Sequence, residues 1–111
     1  MSLAAYQKQI DDSLQPLAKP YWDPLSQLAR IVEEVGEVAR ILNHKYGDKP
    51  KKPTEVHDPL EDELADIIHA IMCLANSEGI NLDDALPRAI NKINTRDKDR
   101  FAKKKPKENH V

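Results

Sequence analysis

Two acidic pairs, Glu34-x-x-Glu37 and Glu63-x-x-Asp66, stand inside apolar runs whose other members recur at helical spacing. Residues three apart on an α-helix lie roughly 60° apart around its axis, so each pair sets two carboxylates on one stripe, here bordering the face expected to be buried. Partly desolvated like charges at that spacing repel one another unless something positive sits among them. Four converging carboxylates suit a hard divalent cation, and Mg²⁺ is the usual choice when the substrate is a phosphate. The bland alternative is a solvated acidic face laced with i,i+4 ion pairs. Against it, the acids interrupt the apolar stripe in Ile31-Val32-Glu33-Glu34-Val35-Gly36-Glu37-Val38-Ala39 and again in Leu60-Glu61-Asp62-Glu63-Leu64-Ala65-Asp66-Ile67-Ile68. Gly36 costs roughly 0.8–1 kcal/mol relative to alanine in mid-helix, which predicts close approach of another backbone or a ligand there.

The elements that must position these acids are all helical. Glycine is scarce, and apolar residues repeat at three and four rather than at two, the mark of an all-α chain. The spacing predicts a first helix over Leu3 to Leu17, with Leu3, Tyr6, Ile10 and Leu14 on one stripe. Asp23-Pro24 opens a second by a cap followed by a first-turn proline, running to Tyr46 with Gly47 as its stop. Its buried side is expected to carry Leu25, Leu28, Val32, Val35, Ala39 and Leu42. A charged, proline-punctuated connection spans 47–59. Asp58-Pro59 repeats the cap-plus-proline start and opens a third helix to Asn76. After the Ser77-Glu78-Gly79 turn, a fourth runs from Ile80 to Phe101, capped near Asn81, with Leu82, Leu86, Ile90 and Ile93 in register. Folding back of the long connection lays the second and third helices antiparallel and sets Glu34 and Glu37 opposite Glu63 and Asp66, and a bundle core is a common place for a carboxylate metal site.

At 111 residues the chain reads as one domain over 1–101 with a lysine-rich tail over 102–111. Charged residues make up 32% but the formal net charge is only −2, which gives no broad footprint for nucleic acid or anionic membranes. A lone cysteine, Cys73, excludes an intrachain disulfide, and no apolar signal or membrane-spanning stretch is present, so a soluble cytoplasmic protein is expected. Helices two to four are apolar over arcs too wide for so short a chain to cover. A homodimer or homotetramer completing the core, with sites completed by a neighbouring subunit, is therefore expected.

The string Glu33-Glu34-Val35-Gly36-Glu37 followed by Glu63-Leu64-Ala65-Asp66 resembles the E-E-x-x-E … E-x-x-D signature of the MazG-like nucleotide pyrophosphohydrolases, members of the all-α NTP pyrophosphatase superfamily. The likeness continues through Cys73-Leu74-Ala75-Asn76, the Gly79-Ile80-Asn81-Leu82 turn and the basic segment Lys92-Ile93-Asn94-Thr95-Arg96-Asp97-Lys98-Asp99-Arg100, covering roughly residues 20–101. It implies a helical bundle that hydrolyses a nucleoside triphosphate between its α- and β-phosphates, with Mg²⁺ or substituting Mn²⁺, for nucleotide-pool control or housecleaning. In that picture Glu34, Glu37, Glu63 and Asp66 hold metal. Glu33 orients or deprotonates the attacking water, since a general base must lie beside the metal without being consumed as a ligand. Lys92 and Arg96, four apart on one stripe, would hold the polyphosphate, with Asn94 adding a hydrogen bond.

Trp22 could stack on a nucleobase or simply anchor packing. His69 continues the i+3 series after Asp66 and is more often a satisfied bundle residue than a ligand. Cys73, on an apolar stripe with no basic neighbour to activate it, reads as core rather than nucleophile. Competing functions are a phosphoribosyl-ATP pyrophosphohydrolase-like enzyme, a ferritin-like di-metal protein, for which only Asp66-x-x-His69 approximates the required Glu-x-x-His pairs, and a non-catalytic helical metal-binding or interaction module.

Overall fold

The computed structural model describes residues 1–105, so 106–111 of the expected tail lie outside the described residues. Four helices account for the regular structure among them: α1 (Leu3–Leu14), α2 (Pro24–Tyr46), α3 (Leu60–Ser77) and α4 (Leu82–Arg96). The all-α reading holds, and the helix ends show which local signals decide. α1 stops three residues before the expected Leu17 because Pro16 has no N–H to continue the ladder. Pro24 starts α2 as expected, but Asp23 makes no side-chain cap and instead accepts from Lys19 Nζ at 3.1 Å. The boundary residue of α3 is Pro59, so Asp58 is not its cap; Glu61, Asp62 and Glu63 fill a first turn where the helix dipole favours acids.

α4 begins at Leu82, two residues after the expected Ile80, with Asn81 as its cap as expected, accepting from Asp83 N, and it ends at Arg96 rather than Phe101. Beyond it Arg96 and Arg100 both turn onto the Asp97 carboxylate, at 3.0 and 3.4 Å. Gly47 does end α2, though in an extended conformation (φ −97°). Its use is steric, since a Cβ there would fall 2.8 Å from Asn43 O. The left-handed glycine is Gly79 (φ +69°), which lets Ile80 N reach back to Ala75 O at 2.8 Å and closes α3.

α2 and α3 pack antiparallel, α1 lies on α3, and α4 packs chiefly on α1. A polar joint ties these pairs. Buried Gln7 donates to Asn76 Oδ1 and to Ile80 O, and accepts from Leu82 N at 3.0 Å. Asn76 Nδ2 donates to Gln7 O and Tyr21 Oη, and the Tyr21 hydroxyl donates to Asp11. Burial, helped by the Asp11 bond, pushes the Tyr21 hydroxyl up to about 12, so it stays protonated and donating. Asp83 of α4 takes the Leu3 and Ala4 N–H groups, capping α1 from across the chain. Gln27 adds α2 by donating to Ser77 Oγ and Trp22 O.

The apolar core is thin, limited to Ala70, Met72, Cys73 and Ala75 of α3. The face of α2 turned to α3 carries Gln27, Ile31, Glu34, Val38, Ile41 and His44, not the expected leucine–valine stripe. Leu25, Leu28, Val32 and Val35 face outward, Val32 being 61% exposed, as do Leu86, Ile90 and Ile93 of α4. The radius of gyration is 19.6 Å, against about 13 Å for a compact domain of this length. The 9216 Å² of accessible surface likewise exceeds the roughly 6,200 Å² such a mass ordinarily shows.

With so little apolar burial, stability should rest on the joint. Asn76→Ala, which leaves Gln7 and Tyr21 partners unpaired, is expected to lower urea-unfolding stability by about 1–3 kcal/mol. Lys8→Ala, which breaks the exposed pair with Asp12, should cost no more than about 0.5 kcal/mol. Equal effects would show that the joint is not what holds the helices.

Candidate active site

Where α2 and α3 lie side by side, one carboxylate oxygen each from Glu34, Glu63 and Asp66 come within 4.8 Å of one another. The helical register explains it. Gln27 bonds to Ser77 near one end of the antiparallel pair, and counting one residue forward on α2 for one backward on α3 puts Glu34 level with Ala70, with Asp66 and Glu63 following about one and two turns further along the same stripe of α3. Glu63 is buried, Glu34 half-buried and Asp66 exposed, so the cluster opens to solvent on one side. Burial raises the Glu63 pKa above the ordinary carboxyl range, and the negative charges of Asp66, Asp58 and Glu34 add to the shift. The oxygens can close with small side-chain rotations on an ion that takes oxygen ligands at about 2.1 Å.

The other acids sit around this group. Glu37, one turn along α2, lies outside it, half-exposed and 3.9 Å from the Arg40 guanidinium. Glu33 is turned about 100° from Glu34 and lines a groove with Lys19, Trp22, Ser26, Ala29 and Arg30. Trp22, 57% exposed, bounds that groove and a neighbouring cavity that Gln27, His69 and Cys73 also line. The Arg30 guanidinium lies 5.8 Å over the Trp22 ring, a cation–π distance.

His69 is not in the carboxylate group; its Nδ1 faces Cys73 Sγ at 3.8 Å. Cys73 does have a basic neighbour, Arg30 across the α2–α3 interface, yet burial outweighs it and pushes the thiol pKa up, so the core reading stands. Lys92, Asn94 and Arg96 are exposed on α4, and Arg96 is paired with Asp97. Because α4 packs on α1, these residues are not brought to the acids by this one chain. A Cβ at Gly36 would meet nothing within 4 Å, so no part of the described chain makes the close approach expected there.

Sequence reasoning missed three participants. Arg30 and Gln27 share the inward stripe with Glu34, at spacings of four and seven, a signal present in the sequence but hidden by the leucines between them. Gln27 Oε1 is buried without a partner while its Nε2 is fully engaged, which leaves an acceptor in the cavity beside Trp22. Asp58 acts on Glu63 rather than capping α3.

The MazG nucleotide pyrophosphohydrolase domain profile matches residues 23–101. The uncharacterized Bacillus subtilis (strain 168) protein YpjD is 45% identical over 98 residues, which cover 88% of each chain. The crystal structure of Bacillus subtilis YpjD superposes with a TM-score of 0.74 at 39% identity, covering 85% of this chain and 96% of that one. The structure of a Bacillus-conserved MazG protein, a nucleotide pyrophosphohydrolase, gives 0.71 at 37% identity, covering 89% of this chain and 96% of that one. The chain belongs to the MazG nucleotide pyrophosphohydrolase family.

The raised Glu63 pKa has a signed consequence. The metal-free folded chain holds this proton more tightly than the unfolded chain does. The penalty is therefore absent below the ordinary value of 4.5 and grows as pH rises from there through the raised folded value. In EDTA, wild type should lose urea resistance over that window relative to Glu63→Gln. Parallel pH profiles for the two proteins would contradict the assignment.

Proposed function

We infer that this chain cleaves a nucleoside triphosphate between its α- and β-phosphates, releasing the monophosphate and pyrophosphate, with a divalent cation held by Glu34, Glu63 and Asp66. The observation that carries the reading is the buried Glu63 set beside two further carboxylates, at the α2–α3 interface of a MazG-family chain. Mg²⁺ is the natural ion for an all-oxygen donor set, with Mn²⁺ as a substitute. When bound it would neutralise polyphosphate charge and polarise the phosphoryl group, the main requirements of phosphoryl transfer.

The chain's own residues do the rest. Glu37 leaves the exposed Arg40 pair, which is worth little in water, to complete the ligand set. Glu33, adjoining the cluster but outside it, orients the attacking water and takes its proton. The Trp22 face, with Arg30 beside it, receives the base. Gln27 Oε1 supplies a hydrogen-bond acceptor that a base N–H would satisfy. The open face of Gly36 lets a ligand or neighbouring subunit approach the α2 backbone. No helix among the described residues is long and apolar enough to cross a membrane. A cytoplasmic role in nucleotide-pool control or housecleaning fits this chemistry.

The outward leucine–valine face of α2 and the isoleucines of α4 support a homodimer or homotetramer in which Lys92, Arg96 and Asn94 of one subunit hold the polyphosphate at a neighbour's acids. The test is a nucleotide panel, including phosphoribosyl-ATP, read by pyrophosphate release and chromatography of the monophosphate. Glu34→Gln and Glu63→Gln should each lower kcat/KM by at least about 100-fold, some 2.7 kcal/mol of barrier. Release of orthophosphate, or full activity of these variants, would refute the reading.

Subunit sharing has its own check. Light scattering should give at least a dimer, and mixing inactive Glu34→Gln with inactive Arg96→Ala protein should restore part of the activity. No recovery after subunit exchange, or a monomer, would place the basic residues elsewhere.

A further inference from the structure

A second donor group lies away from the carboxylate cluster, where the 47–59 connection folds back on the last turn of α2. His44, Glu55 and His57 each offer one ligand atom, and these atoms lie within 4.8 Å of one another. The His44 side chain is 3% exposed and that of Glu55 24%. His44 Nδ1 faces His57 Nε2 at 2.7 Å, and the rings stack at a tilt of 32°. His44 Nε2 is buried with no hydrogen-bond partner and faces Glu55 Oε2 at 3.7 Å.

Protein atoms alone do not satisfy this arrangement in either tautomer. If His44 donates from Nδ1 to His57, its bare Nε2 lone pair faces a carboxylate, and two electron-rich groups confront each other in a buried place. If instead the proton sits on Nε2, 3.7 Å to Glu55 is beyond hydrogen-bond reach, and a buried N–H is left unmade at a cost of about 1–3 kcal/mol. Protonating both nitrogens puts a positive charge on a buried ring whose Glu55 partner stands 3.7 Å away, beyond hydrogen-bond reach. A cation between imidazole and carboxylate resolves all of this.

We propose that His44, His57 and Glu55 form a binding site for a divalent transition metal of the zinc class, separate from the carboxylate cluster. Two histidines and one carboxylate are a recurrent zinc donor set that leaves a fourth position open. Imidazole donors prefer zinc-class ions to Mg²⁺ or Ca²⁺. That preference matters here, because Arg40, Lys49 and Lys52 line the groove beside Glu55 and disfavour a cation held by charge alone. The same groove suits water or an anion as fourth ligand. An imidazole gives one nitrogen to one ion, so His44 would ligate through Nε2, the nitrogen aimed at Glu55, and His57 would leave its 2.7 Å contact with Nδ1 and swing on its loop to bring a nitrogen to the same ion. Binding would clip the connection to α2 and restrain the loop that leads into Glu63.

The experiment is equilibrium dialysis of ZnCl₂ against the full chain in a Glu34→Gln/Glu63→Gln background, so that failure of the carboxylate reading does not bear on the result. One zinc per chain is expected, with affinity falling at least 100-fold in His57→Ala and in His44→Ala, while circular dichroism shows the same helix content for His57→Ala. In wild type, zinc should also slow tryptic cleavage after Lys51 by at least 10-fold, and His57→Ala should lose that protection. Zinc binding unchanged by His57→Ala, no zinc bound by the background protein, or a histidine pair that merely hydrogen-bonds and gives no protection would each overturn the site.

Discussion

Gln7 and Asn76 hold this chain together more than any apolar cluster does. Four small or medium α3 residues are the only buried hydrophobics among those described, far too few to order four helices against their conformational entropy. What fixes the helices is directional. One buried amide reaches the end of α3, the α3–α4 turn and the first turn of α4, and its partner reaches α1 and the Tyr21 hydroxyl. A buried polar network of this kind tolerates no half-satisfied members. It therefore specifies angles and register where a thin core would leave them loose.

That register is what makes the carboxylate cluster possible. Glu34, Glu63 and Asp66 converge because α2 and α3 run antiparallel with Gln27 and Ser77 bonded near one end. The same packing that buries Glu63 sets two like charges beside it, so the interface carries an electrostatic cost in the bare protein that a bound cation would relieve. A cation bound there would make binding and helix packing one equilibrium, stabilising the α2–α3 pair to the extent that it binds the folded chain alone.

The helices and the acid spacing were legible in the sequence because both are local. Three-residue spacing sets the stripe, and Pro24 and Gly47 set the ends of α2. What failed depends on partners distant in sequence. The leucine–valine stripe of α2 looked like core, yet the inward face is the mixed one bearing Gln27, Glu34 and His44. Periodicity reports that a face is apolar, not whether its cover comes from the same chain. Asp58 matched the capping pattern but lies among acids that only folding brings near. The early end of α4 is a local miss instead: Asp97, the residue just past it, pairs with Arg96 and Arg100, contacts that periodicity does not register. His44 and His57, thirteen apart with a proline-rich connection between them, gave no metal spacing at all until the loop folded back.

The outward apolar faces and the distant basic stripe have one common solution. α4 carries Lys92 and Arg96 on a helix that leaves the acids of its own chain and packs on α1, while its isoleucines and the leucines of α2 lie uncovered. Burying a few hundred square ångströms of that surface against a second copy would contribute several kcal/mol at about 25 cal/mol per Å², before the costs of association. A symmetric pairing would then bring a basic helix from each copy toward the acids of the other. Such sharing would couple assembly to catalysis: a subunit alone would hold the cation but lack the positive charge that grips the polyphosphate, so the isolated chain could bind metal without turning over substrate.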